Sequence, residues 1–194
     1  LIWFLGALLV PVIPGKWKRI YLLAIPVLSM ANLLSVAHGN HFQVNFLGYS
    51  LIFTHVDRLS LVFGYIFHLI AFIGIIYALH LRDDLQHAAG LAYAGSAIGA
   101  VFAGDLLSFF LFWEMLTVTS IWLIWAHRRR ESLRAGYRYL LVHAAGGLFL
   151  LAGIVFHVAG AGSTALNYIG LNGAGSYWIF IGFGLNCAWP LLHP

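Results

Sequence analysis

Charge is what this sequence has least of: 8% of its 194 residues are Asp, Glu, Lys or Arg, and 62% are hydrophobic. A soluble domain carries about 25% charged residues. This chain therefore cannot cover a water-facing surface, and most of its side chains must be solvated by lipid or by other protein. Cysteine is nearly missing as well. The single Cys187 excludes a disulfide framework within the chain and a cysteine-based metal site. The net charge of +4 does not indicate nucleic acid, because the basic residues cluster in short connectors rather than over one face. The opening run LIWFLGALLV has no initiating Met and no charged region before it, so no signal peptide is visible. The last residues, WPLLHP, fall within what reads as an unfinished helix. Both ends predict a fragment of a longer membrane protein.

What is present in quantity is long apolar runs. A spanning helix needs about 20 mostly apolar residues to cross roughly 30 Å of hydrocarbon. Seven segments qualify wholly or in part: 1–14, 20–37, 59–79, 86–104, 106–126, 134–158 and 176–194. In lipid a backbone must satisfy its own hydrogen bonds, and runs of this length do so as helices. The expected fold is an all-α polytopic membrane protein with about seven transmembrane helices. Residues 41–57 (HFQVNFLGYSLIFTHVD) alternate around an N-F-L-G turn and predict a small external β-hairpin between helices two and three. Residues 159–175, rich in Gly and Ala, read as a loop.

The basic residues orient this arrangement. Lys16, Lys18 and Arg19 follow helix one, Arg82 follows helix three, and Arg128, Arg129, Arg130 and Arg134 follow helix five. Alternate crossings place all of these connectors on one side, with only Arg58 on the other. Cytoplasmic loops collect Lys and Arg, so that side is expected to be cytoplasmic and the chain to be a multi-pass protein of the inner membrane. In helix four, Gly95, Gly99 and Ala103 recur at four-residue spacing, a pattern that lets helices pack tightly.

Against this background Glu114 stands out. It lies fourteen residues before Arg128, about 21 Å along a helix, deep in the bilayer. A carboxylate there costs from roughly 2.5 kcal/mol upward. Burial favours the neutral acid and a nearby cation the carboxylate, so such a group is suited to exchanging a proton. Thr117 and Ser120 make the same face polar. Helix six offers two partners: Arg138, near enough to the helix end to snorkel to the interface, and His143, five residues deeper, whose side chain suits proton transfer. A protonated Glu114 and a satisfied packing histidine are the bland alternatives. His68, in the middle of helix three, could in principle clamp a haem with His143, which would make the chain a membrane electron carrier.

The ordered motifs resemble a known family. GDLLSFFLFWEMLTVTS, followed by RAGYRYLLVHAAGGLFLLAGI, resembles the antiporter-like subunits shared by Mrp-type multisubunit cation/proton antiporters and respiratory complex I. The family's fifth helix carries a glutamate in an F-x-x-W/F-E-x-M context, approximated by Phe110, Trp113, Glu114 and Met115. Its sixth helix opens with a basic residue beside an aromatic and then small residues, which Arg138, Tyr139, Gly146 and Gly147 fit. VDRLSLVF resembles the segment that follows the external hairpin, and NCAWPLLH the start of the family's broken seventh helix, with Pro190 and His193 in place. FWEMLTVTS and YLLVHAAGG look closer to the D-type antiporter subunit.

The resemblance implies that residues 1–194 are the N-terminal part of a longer antiporter-like transmembrane domain. Its implied task is proton translocation within a multisubunit complex, with sodium ions as a further cargo and a proton-pumping subunit of NADH-quinone oxidoreductase as the alternative. It is then a transporter subunit without redox chemistry of its own. The implied site residues are Glu114, Arg138, His143, Asn186 and His193, with the helix broken near Pro190. No cofactor or metal is expected; the partners are the bilayer, other membrane subunits and the ions moved. One departure matters. The family's seventh helix usually has lysine where this chain has Asn186, and an amide carries no charge. Either His143 or Arg138 partners Glu114, or a relay lysine lies beyond residue 194, or this is a degenerate member.

Overall fold

In the computed structural model, residues 1–46 and 48–187 are described; the expected helix break at Pro190 and His193 lie outside them. The elements run α1 (Ile2–Leu9), α2 (Gly15–Ser35), β1 (Gly39–Phe46), β2 (Tyr49–Val56), α3 (Arg58–Ala78), α4 (Asp84–Phe102), α5 (Leu106–Trp125), α6 (Arg130–Ala161) and α7 (Ala174–Asn186). The protein is mostly helical, and its two-stranded antiparallel sheet sits where the alternating segment predicted it, between the second and third helices. By length and composition α3, α5 and α6 are able to cross a membrane. Of the remaining helices, α2 and α4 are long but more polar, and the described parts of α1 and α7 are shorter.

Three helices start on aspartates. Asp57 accepts the Ser60 N–H at 2.6 Å while Ser60 Oγ accepts the Asp57 N–H at 2.9 Å. This reciprocal pair satisfies two otherwise orphaned donors of α3 and holds the Asp57 acid below the usual carboxylate range. Asp83 caps α4 through the Leu85 N–H at 3.0 Å. The third, Asp105, does more and is taken up below. Helix α6 begins four residues before the expected start and runs for 32 residues. RESLR contains good helix formers, and Glu131 in the first turn suits the positive end of the helix dipole.

Side chains pack in two groups. Trp3, Val10, Leu22, Leu91 and Phe102 centre one, drawn from α1 to α4. Leu106, Leu150, Ile154, Val158 and Ile179 centre the other, drawn from α5 to α7. The small residues of α4 do allow tight packing, but against aromatic side chains: Gly95 faces Trp3 of α1, and Gly99 faces the ring of Phe112 on α5.

The connectors gather at two ends. At one, Lys18 pairs with Asp84 at 2.5 Å and Arg128 approaches Asp83 at 3.7 Å, which joins the connectors after α1, α3 and α5. At the other, Asp105, only 1% exposed, holds three segments. Its Oδ1 accepts the Leu107 and Ser108 N–H groups at 2.9 Å each. Its Oδ2 accepts Ile52 N–H of the hairpin and the Ser108 hydroxyl, both at 2.6 Å. Beside it Gly104 N–H donates to Ile52 O at 2.8 Å and Leu106 N–H to Thr164 O at 2.9 Å, so the loop after α6 is tied in as well.

Asp105→Ala leaves four donors without their acceptor. Loss of a cap costs about 1 kcal/mol, and each buried donor left unmatched adds about 1–3 kcal/mol. The variant is expected to melt well below the wild-type protein in detergent, while Asp105→Asn, which keeps an acceptor oxygen, loses less. An alanine variant that melts at the wild-type temperature would remove Asp105 from this role.

Candidate functional site

The site is built on a bare strip of α6. Helices α6 and α7 run antiparallel, with Gly153 opposite Gly175 and, two turns away, Gly146 opposite Gly182. A methyl group at Gly153 would lie 2.5 Å from Ile179 N and 2.8 Å from Gly175 O; one at Gly182 would lie 2.7 Å from Leu150 N and 2.8 Å from Gly146 O. Here backbone meets backbone, the close approach that small residues permit between membrane helices.

Two polar side chains use the same strip. The carboxyl group of Glu114, from the middle of α5, rests on α6 where a Cβ on Gly147 would otherwise stand. The amide of Asn186, at the end of α7, rests on Gly146, with its Oδ1 2.6 Å from the Cβ position. Adjacent glycines thus receive side chains from two different helices. Glu114 Oε1 and Asn186 Nδ2 are both buried and, among the described residues, have no hydrogen-bond partner. One is an acceptor and the other a donor.

His143, one turn before the glycines, completes the group. Its Nδ1 lies 2.8 Å from Asn186 Oδ1. A carbonyl oxygen only accepts, so Nδ1–H donates and Nε2 is left as the basic nitrogen of the neutral ring. The ring of Tyr139 stands edge-on to that of His143, with centroids 3.8 Å apart. Tyr139 is hydrogen bonded to Ser120 Oγ at 2.9 Å, and Ser120 Oγ lies 2.8 Å from Thr117 O. Since Ser120 has one hydroxyl proton and a carbonyl can only accept, that proton goes to Thr117 O and Tyr139 donates to Ser120. A polar line therefore runs Ser120, Tyr139, His143, Asn186, with Glu114 beside its inner end.

Of the residues singled out in the sequence, His143 and Asn186 are hydrogen bonded, and Glu114 rests on the glycine next to the one that receives Asn186. Arg138 does not join them: it is exposed and forms no ion pair among the described residues. His68 belongs to the other packing group. It is 3% exposed, its Nδ1–H donates to Gly64 O at 2.7 Å, and its Nε2 accepts from the Ser29 hydroxyl at 2.9 Å. Both nitrogens are committed, which gives it no free atom for a haem iron. Sequence reasoning missed Ser29, for which no signal existed. It also missed Asp105, for which one did: an Asp directly before an apolar helical run, with Ser three residues on.

Residues 103–192 match the family model described as NADH:quinone oxidoreductase/Mrp antiporter, TM. The chain is 25% identical to Na(+)/H(+) antiporter subunit A1 of Staphylococcus aureus over 187 residues, covering 84% of this chain and 23% of that protein. The chain thus spans about a quarter of the length of that curated relative. Among solved structures, it superposes on the Mrp complex from a Dietzia species with a TM-score of 0.81 and 24% identity, over 95% of this chain and 22% of that one. It also superposes on respiratory complex I from Thermus thermophilus with bound aureothin, with a TM-score of 0.75 and 23% identity, over 99% of this chain and 43% of that one. The fold is shared with both.

The glycine strip makes a graded prediction. Gly153→Ala and Gly182→Ala meet backbone atoms that cannot move aside, and overpacking of this kind costs about 1–3 kcal/mol. Gly160, on the same helix, has nothing within 4 Å of its Cβ position, so Gly160→Ala should be neutral or gain up to about 1 kcal/mol of helix propensity. Melting of the three purified variants is expected to separate them in that order. Equal melting temperatures would contradict the backbone contact.

Proposed function

We propose, from the match of residues 103–192 to the NADH:quinone oxidoreductase/Mrp antiporter family model, that the chain is part of an antiporter-like subunit that moves protons, with sodium ions as further cargo, across the inner membrane. In this reading all seven helices span or enter the bilayer, and the other subunits of a multisubunit complex are its partners. The hairpin end is external, and the end joined by Lys18–Asp84 is cytoplasmic, in keeping with the basic connectors. The Staphylococcus aureus Na(+)/H(+) antiporter subunit and the superposition on the Dietzia Mrp complex support an Mrp-type antiporter. FWEMLTVTS and YLLVHAAGG look like the D-type subunit, whereas the Staphylococcus aureus relative is an A subunit, which favours the A type as the finer part of the proposal. A complex I subunit is the second reading, supported by the superposition on the Thermus thermophilus structure.

One observation carries the proposal: Glu114 Oε1 and Asn186 Nδ2 lie buried and unmatched on adjacent glycines. Buried polar atoms in a native protein are nearly always satisfied, and water supplies both an acceptor for the amide and a donor for the carboxyl group. A bridging water would connect Glu114 through the Asn186 amide to His143. Glu114 takes up and releases the proton; His143 Nε2 is the next basic atom; Tyr139 and Ser120 continue the polar line toward the cytoplasmic connector. Asn186 holds no charge, so its part is to orient the histidine and the water. Arg138 sets the positive potential at the cytoplasmic end. His193 and Pro190, which follow Asn186 in the chain, would carry the line onward through a broken helix.

Glu114→Gln in the full-length protein tests this directly. The amide is nearly isosteric and still forms hydrogen bonds, so yield and melting should stay near wild type while ion-coupled flux into vesicles carrying a pH-sensitive dye disappears. Glu114→Asp, its carboxyl set back by one methylene, should keep partial flux. Normal flux through the Gln variant would make the carboxyl group structural.

Orientation is tested separately with single introduced cysteines. Those in 127–129 should react only from the cytoplasmic side and those in 162–173 only from outside. Labelling of 127–129 in intact cells would invert or refute the arrangement.

A further inference from the structure

A groove of about 450 Å³ opens between α3 and α4, away from the Glu114 site. Its floor includes the buried Leu22 and Leu91. Its walls are Phe67 to Ala78 on α3 and Gln86 to Ala97 on α4, with Leu123 of α5 at one side. Each wall spans eleven residue steps, about 16 Å of helix, close to the roughly 15 Å that one leaflet contributes to the hydrocarbon core. Gly74 and Gly90 line it with nothing within 4 Å of their Cβ positions. A single extended hydrocarbon chain fits a groove of this length.

The mouth lies at the end where the basic connectors meet. There His87 donates to Leu81 O at 3.2 Å, which fixes the turn after α3 against α4. The two carboxylates nearby already have cations, Asp84 with Lys18 and Asp83 with Arg128. Arg82, exposed and next to the groove-lining Leu81, forms no ion pair among the described residues. An apolar slot one leaflet long with an unmatched guanidinium at its mouth matches a lipid with an anionic head.

We infer that this groove binds one anionic phospholipid of the cytoplasmic leaflet, an acyl chain between α3 and α4 and the phosphate at Arg82. The inference rests on the membrane orientation proposed above but not on transport, and binding is read without any flux measurement. The full-length protein, purified in detergent and delipidated, is offered phosphatidylglycerol or phosphatidylcholine at equal concentration, and retained lipid is counted by native mass spectrometry. Wild type is expected to retain one phosphatidylglycerol and to hold phosphatidylcholine about fivefold more weakly, the factor one surface cation contributes toward an anionic lipid. Arg82→Gln should bring the two lipids to equal retention.

Gly90→Leu fills open space, so it should melt like wild type yet retain no lipid; Gly74→Leu makes the same test should the first variant fold poorly. A photoactivatable phosphatidylglycerol with its reactive group in the acyl chain should label peptides within 67–97. Undiminished retention in a folded leucine variant overturns the inference, as does labelling confined to other segments. If the groove peptides of the full-length protein cross-link instead to another stretch of the same chain or to a partner subunit, the groove is a protein interface and the lipid assignment is wrong.

Discussion

The polar centre of this protein depends on α6 offering bare backbone. At Gly146 and Gly147 there is no side chain to fill the space between three helices, and the vacated volume is taken by an amide from α7 and a carboxyl group from α5. Were either position alanine, its methyl would stand where Asn186 or Glu114 now rests. Two turns further along, Gly153 and Gly175 bring the α6 and α7 backbones into contact. The close approach there fixes the distance at which Asn186 meets His143. Geometry at the site is thus set by what the glycines omit, and the apolar contacts of Leu150, Ile154 and Ile179 hold the helices at that separation.

The two ends of the molecule are secured by different chemistry. At the hairpin end a single buried carboxylate gathers a strand, a helix start and, through its neighbour, a loop. Charge-assisted bonds to backbone N–H groups are strong where water is excluded, so one residue suffices. The opposite end relies on pairs between exposed or half-exposed charges, which contribute about 0–1 kcal/mol each. Such an end holds its shape weakly by itself. Its excess of Lys and Arg is the feature from which the orientation is read.

The fold was largely legible because lipid narrows the choice: long apolar runs must become helices, and a short alternating stretch between two of them has little option but a hairpin. Helix boundaries were less so. RESLR is polar and helical at once, and hydropathy marks only where the apolar part of α6 begins. Glu114 stood out because a carboxyl group in a greasy run is costly there, and His143 because it lies on the next helix at similar depth. Three things were not legible. That Asn186 meets His143 depends on the register of α7 on α6, which is set by glycines scattered among many others in this chain. That His68 is a packing residue depends on Ser29, thirty-nine positions away. That α4's small residues receive aromatic rings, while α6 and α7 touch through backbone, is a matter of which neighbour each face meets, and spacing alone is silent on it.

Asn186 changes how the central carboxyl group can be used. Lysine at that position would put a positive charge on α7 beside the glycine pair on which Glu114 rests. With asparagine no such charge exists there, and Glu114 forms no ion pair among the described residues. An ionised Glu114 must then be stabilised by water or by groups beyond these residues, since an isolated buried charge is too costly to persist. The neutral acid has no such need, and it can donate a hydrogen bond to a water held by the Asn186 amide. The same amide keeps the Nδ1 proton of His143 engaged and so leaves Nε2 as the atom that changes protonation. An uncharged residue is therefore bonded to His143 and stands one glycine away from Glu114. Among the described residues, then, water rather than an opposite charge is what can satisfy Glu114.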